Sequence, residues 1–257
     1  KLEANNGPNN LHSGPDYYRD RIWDAEVEET ALGTTITFGL HSPDGDQGYP
    51  GNADITVSYT LTPDNCLKLD YHMVSDADTI ANFTNHVYFN LGGYKSGSAL
   101  DQKVWIDADY FTATDANSIP TGELVAVKGT PMDFTEMKPI GRDIQEDYQA
   151  LKYGNGYDHN WALNHPAGEL SLSAKAEDEK TGRTMEVYTD LPGVQFYTAN
   201  SLKTERGKNH AVYTPRCGYC FETQYFPDAI NQPEFASPVI KAGEEYKTTT
   251  IYKFGVK

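Results

Sequence analysis

Short runs in which apolar residues recur at every second position govern what this chain can become, because only an extended strand puts residues i, i+2 and i+4 on one face. Ile36, Phe38 and Leu40 form one run, Ile55, Val57, Tyr59 and Leu61 a second, and Leu67, Leu69, Tyr71 and Met73 a third. The Thr62-Pro63-Asp64-Asn65 segment between the last two predicts a hairpin, since proline presets one turn dihedral and Asn tolerates a left-handed one. The same pattern resumes at Leu170, Leu172, Ala174 and Ala176, breaks at the turn Glu179-Lys180-Thr181-Gly182, and returns with Met185 and Val187. Val194 to Tyr197, Tyr219 to Phe221 and Tyr246 to Phe254 also read as extended. Helical periodicity is confined to a short turn expected near Ile144 to Leu151. Many short strands separated by turns predict an all-β antiparallel sandwich or barrel.

A chain of 257 residues that is 38% hydrophobic can enclose a sizeable core. Its glycine- and proline-rich patches, such as Ser42 to Gly51, have loop length rather than linker length, so a single domain spanning 1–257 is expected. The formal net charge of -16 would repel a phosphate backbone, which disfavours nucleic acid as a partner. No apolar run is long enough to cross a bilayer, so no membrane partner is expected, and Lys1 to Asn6 lack the apolar centre of a signal peptide. Cys66, Cys217 and Cys220 are too few and too odd in number for a disulfide framework, which points to the cytoplasm. A first residue other than Met leaves the periplasm and secretion open. Cys217-Gly218-Tyr219-Cys220 has redox-pair spacing, but it runs into a strand-like segment rather than a helix, so a structural role is expected.

One stretch, Thr84-Asn85-His86-Val87-Tyr88-Phe89-Asn90-Leu91-Gly92-Gly93, sets a histidine, a hydroxyl and two amides among apolar residues and ends in a glycine pair suited to a tight turn. It reads as a strand that carries a chemical group. On the residues alone, a single histidine among apolar residues such as His86 is more often a hydrogen-bonded packing residue than a catalyst, while Asp158 beside His159 is equally a turn cap, His12 a loop residue and Gln195 a solvated strand position. Glu222, beside Cys220 and Phe221 within a strand, is the least suited of them to a surface role.

The Thr84 to Leu91 segment resembles the Thr-Asn-His-x-x-Phe-Asn-Leu signature of the aldose 1-epimerases, or galactose mutarotases. Three further stretches resemble that family in the same order: Asn10-Leu11-His12-Ser13-Gly14, Asn155-Gly156-Tyr157-Asp158-His159-Asn160, and Phe221-Glu222-Thr223-Gln224 with Pro227-Asp228 behind it. The resemblance implies a large twisted antiparallel β-sandwich, the mutarotase-like supersandwich, here without the usual N-terminal strands and the Asn-Arg pair they carry. It implies a free hexose such as galactose or glucose as substrate and no cofactor or metal. Glu222 falls on the family's general base, His86 on its acid and His12 on a second active-site histidine, while Asp158 and Gln195 fall on groups that bind sugar hydroxyls. A monomer or weak homodimer is expected. Ser13 stands where the family usually has glycine; serine is small, so it is expected to be tolerated, with less freedom at positive φ in that loop. The alternative is a non-catalytic carbohydrate-binding β-sandwich, for which 18 tyrosines offer flat faces to sugar rings. A glycoside hydrolase using Asp158 and Glu222 ranks third, because it would leave both histidines without a task.

Overall fold

The computed structural model describes the backbone of residues 1–257 and every side chain except that of Glu205. In chain order the strands are β1 (Asp24–Thr30), β2 (Gly33–Ser42), β3 (Ala53–Leu61), β4 (Cys66–Ser75), β5 (Thr79–Ile80), β6 (Lys103–Ile106), β7 (Tyr110–Thr114), β8 (Pro120–Ala126) and β9 (Lys138–Pro139). There follow β10 (Asp158–Ala162), β11 (Ser171–Glu177), β12 (Arg183–Thr189), β13 (Gly193–Tyr197), β14 (Glu205–Arg206), β15 (Val212–Tyr213), β16 (Cys220–Gln224), β17 (Val239–Ile240) and β18 (Glu245–Val256). Among the described residues the only α-helix, α1, is Gln149–Gly154. It begins beyond most of the Ile144 to Leu151 turn expected from the sequence, where residues 141–147 are turns and bends instead, and it ends on Asn155 in the left-handed region. Among the described residues no helix is long and apolar enough to cross a membrane.

The chain divides into two compact units, residues 1–82 with 238–249, and residues 83–237 with 250–257. In the first, β1 to β4 form consecutive antiparallel hairpins in the order β1-β2-β3-β4, with the opening residues of β18 beside β4. The hairpin at Thr62 forms as expected: Asn65 has φ 63° and Leu61 faces Leu67. Ile55, Leu69, Tyr71 and Met73 are buried. The alternation of β3 does not hold to its end, however, for Leu61 is 63% exposed while its neighbour Thr60 is buried. Thr60 lies opposite Thr35 and their hydroxyls are 2.8 Å apart, so a satisfied polar pair takes the inner position there.

The second unit is a sandwich of two antiparallel sheets. One has the order β18-β12-β11-β6-β9, the other β16-β13-β10-β7-β8. Registers place Tyr252, Val187, Ala174 and Ile106 in one inner row and Phe254, Met185, Ala176 and Val104 in the next. The bulge at Ser173 keeps that row intact by letting Leu172 and Ala174 face consecutive residues of β12, while Leu170, expected to belong to the run, lies outside the strand and exposed. From the facing sheet come Phe111, Trp161, Phe196 and Phe221, all buried, with Phe196 and Phe221 stacked at 5.2 Å. Two polar links cross this interior: Tyr252 donates to the Phe221 carbonyl at 2.8 Å, and the Thr223 and Thr250 hydroxyls pair. Phe134 and Tyr157 complete the aromatic cluster, edge-on to each other at 5.0 Å.

Candidate active site

Because strand side chains alternate, filling one face of the β16-β13-β10 sheet with Phe221, Thr223, Val194, Phe196, His159 and Trp161 sends their neighbours to the other. That second face carries Asp158 and Asn160 from β10, Gly193, Gln195 and Tyr197 from β13, and Cys220, Glu222 and Gln224 from β16. Gln195 lies opposite both Asn160 and Glu222, at the centre of the three strands. His159, on the apolar side, is a packing residue: it accepts from the Asp158 N–H through Nδ1, sits edge-on to Phe111 and Trp161, and burial pulls its pKa down to about 4.

A chain of amides orders the polar face. Gln195 Nε2 donates to Asp158 Oδ1 at 2.8 Å, and Gln195 Oε1 accepts from Gln224 Nε2 at 3.2 Å. The same Gln224 nitrogen reaches Asn160 Oδ1 at 3.2 Å. An ionised Asp158 can only accept, so it dictates the direction of every link behind it. Asn160 is 1% exposed. It fits because Gly193 stands beside it: a Cβ at 193 would lie 2.5 Å from Asn160 Oδ1 and 2.8 Å from the Phe226 ring. Gly193→Ala should therefore push Asn160 aside, lower stability by about 1–3 kcal/mol and raise KM through the loosened Gln195. Thermal unfolding and initial rates on one preparation test this, and an unchanged KM would show that the relay does not hold Gln195.

His86 reaches this face from a segment that is not the expected strand. Residues 81–88 form no ladder, and only Phe89 is bridged, exchanging backbone hydrogen bonds of 2.8 and 3.0 Å with Tyr219 at the entry to edge strand β16. The physical reason lies in the two amides, which anchor the chain by side chain where a strand would use backbone. The Asn85 side-chain amide meets Tyr252 Oη at 2.9 Å, and Asn90 donates to the Cys217 carbonyl at 2.8 Å while accepting from Gln102. Gly93, at φ 101°, provides the turn expected of the glycine pair.

Held between those anchors, His86 places Nε2 3.8 Å from Glu222 Oε1 and Nδ1 3.3 Å from Cys220 Sγ. Tyr88 and Tyr197 wall the imidazole at ring separations of 5.0 and 5.8 Å. Its side chain is 32% exposed whereas that of Glu222 is 9%, so the pair runs from an open rim to a dry floor. Burial, reinforced by the Asp158 charge, raises the Glu222 pKa to about 8. Burial raises Asp158 to about 6 against the Gln195 hydrogen bond, which favours its charged form. The Cys220 thiol is pushed far above its usual value by burial and by the two carboxylates, so it stays neutral. All three cysteines are free.

The second unit thus brings together Glu222, His86, Asp158 and Gln195. His12 lies in the first unit, on a loop where His12 and Ser13 take φ of 51° and 73°. Serine adopts positive φ there, in keeping with the tolerance expected of it, and its side chain hydrogen-bonds to Tyr49. Asn160, Gln224 and Cys220 drew no role from the sequence, though each stands two residues from a site residue on the same strand and so had to share its face.

Comparison with known proteins places the chain in a family. The family described as aldose 1-epimerase matches residues 1–253. Galactose mutarotase of Bos taurus is 42% identical over 257 residues, covering 100% of this chain and 72% of the relative. Aldose 1-epimerase of Haemophilus influenzae is 37% identical, covering 99% of this chain and 73% of the relative. Among solved structures, galactose 1-epimerase from Lactobacillus acidophilus superposes with a TM-score of 0.87 at 29% identity, covering 100% of this chain and 73% of that one. These relatives are named as catalysts and give no support to a non-catalytic sugar-binding module. The chain belongs to the aldose 1-epimerase family, and it is an isomerase that interconverts sugar anomers.

Proposed function

We propose that the substrates are free hexoses, galactose and glucose, and that Glu222 and His86 are the two proton-transfer groups. The observation that carries this reading is a buried carboxylate facing a half-exposed imidazole across 3.8 Å, beside a carboxylate–amide pair suited to sugar hydroxyls. Ring opening removes the proton from the C1 hydroxyl and adds one to the ring oxygen; the C1–O bond of the ring breaks as the aldehyde forms. Rotation about C1–C2 then presents the other face, and reversal of both transfers closes the ring as the opposite anomer. Glu222 takes the hydroxyl proton and His86, protonated, supplies the other from Nε2. Redox change and group transfer are absent from this sequence, so the chemistry calls for no cofactor or metal.

The gap between base and acid suits this use. With Glu222 raised to about 8, carboxyl and carboxylate differ little in free energy near neutral pH, and proton transfer is fastest when donor and acceptor are so matched. His12 is assigned a supporting role by its place in the Asn10 to Gly14 stretch, and the family match running through both units supports treating 1–257 as one functional domain.

Polarimetry of freshly dissolved α-galactose or α-glucose should show accelerated approach to anomeric equilibrium, unchanged by chelator. In Asp158→Asn, the lost acceptor belongs to ground and transition state alike, so KM should rise about tenfold or more with kcat within a few-fold. A collapse of kcat at constant KM would instead place Asp158 in the chemistry.

A further inference from the structure

If Nε2 of His86 gives its proton to the ring oxygen, the neutral imidazole left behind must carry its hydrogen on Nδ1, and something must hold it there. Which ring nitrogen is protonated is set by the hydrogen bond the other one makes. The group that meets Nδ1 is the Cys220 sulfur, 3.3 Å away and wholly buried. We propose that Cys220 is a positioning residue for the anomer interconversion: its sulfur accepts the His86 Nδ1–H and so commits Nε2, the nitrogen facing Glu222, to the proton transfers. This rests on the assignment of His86 as the proton donor.

The geometry makes the contact hard to avoid. Cys220 and Glu222 are two residues apart on β16 and share its polar face, so the two nitrogens of one imidazole can meet one side chain each. The edge-on Tyr197 ring and the tilted Tyr88 ring restrict rotation about the ring axis. The chemistry of the partner also matters. A carboxylate on Nδ1 would stabilise imidazolium and make Nε2 a poorer acid, whereas a thiol fixes the tautomer without adding charge. Burial and the nearby Glu222 and Asp158 carboxylates keep that thiol neutral. The arrangement has the logic of a base oriented through its far nitrogen, with sulfur in place of the acid.

The test is nitrogen NMR of the full chain labelled at histidine, recorded at a pH where His86 is neutral, with His86→Asn used to assign the signal. Wild-type protein should show the Nδ1–H tautomer. Cys220→Ala should move the population toward Nε2–H and lower kcat about two- to tenfold with KM within about twofold, the range expected for loss of one neutral hydrogen bond. Cys220→Ser, which restores an acceptor at the same place, should return the Nδ1–H signal. A wild-type His86 held as Nε2–H, or a Cys220→Ala spectrum identical to wild type, overturns the proposal. A tautomer that moves while kcat stays constant supports the sulfur's hold on Nδ1 and removes His86 from the chemistry, so the two assignments fail separately. Should Cys220→Ala unfold, Cys220→Val, which fills the space without an acceptor, gives the same comparison.

Discussion

Glu222→Gln should lower kcat by roughly 10²- to 10⁴-fold while leaving KM within about tenfold, because the amide keeps the shape of the carboxylate but cannot take the C1 hydroxyl proton. The same substitution should stabilise the fold, and more so as pH rises. The Glu222 pKa is raised from 4.5 to about 8 by burial and by Asp158, so the folded protein holds that proton more tightly than the unfolded chain does. The stability this contributes is present in full below the unfolded value and is lost as pH rises through the folded one. Glutamine never ionises and escapes the loss. The variant should therefore gain on wild type between pH 5 and pH 9 by on the order of 2 to 4 kcal/mol, read as a widening difference in unfolding midpoint. A catalyst that retains turnover and merely melts at a different temperature would mark Glu222 as a structural carboxylate.

That trade of stability for reactivity is visible in how β16 is built. Every residue from Cys220 to Gln224 is buried, yet only Phe221 and Thr223 face the sandwich interior. The other three fill a polar face that could be covered by apolar side chains at lower cost, and the sheet tolerates them because Gln224 and Gln195 satisfy one another along the amide chain.

What the sequence disclosed follows from the same alternation. Strands β2, β3, β4, β11, β12, β13, β16 and β18 were legible because a half-buried strand writes its two faces into successive residues. The Thr84 to Gly93 segment was misread as a strand because its apolar residues mimic one, whereas its backbone is held by Asn85 and Asn90 from elements far along the chain. No local pattern encodes that. The grouping of Glu222, His86, Asp158 and Gln195 was equally invisible to spacing, since registers such as Gln195 opposite both Asn160 and Glu222 are set by pairing across dozens of residues. Resemblance supplied the membership. The structure supplied the amide relay and the Cys220 contact, which belong to no motif and emerge only when three strands lie side by side.

His86→Asn should lower kcat nearly as far as Glu222→Gln, by roughly 10²- to 10³-fold, since it removes the donor to the ring oxygen and leaves the departing oxygen to be protonated by water. The informative measurement is the double variant. Were the two residues independent, their losses would multiply to roughly 10⁴- to 10⁷-fold; if they serve one ring opening, the second substitution removes little that the first has left. Their separation of 3.8 Å makes strong coupling the expected result, because each sets the other's ionisation as well as sharing the transition state. Because the base must be ionised, wild-type kcat should also fall on the acid side as Glu222 takes up a proton, and Glu222→Gln should abolish that limb by leaving no carboxyl to titrate. Multiplicative losses, or an acid limb that persists in Glu222→Gln, would separate the two groups and assign the base elsewhere on the polar face, to Asp158, the carboxylate that the Gln195 relay already orients.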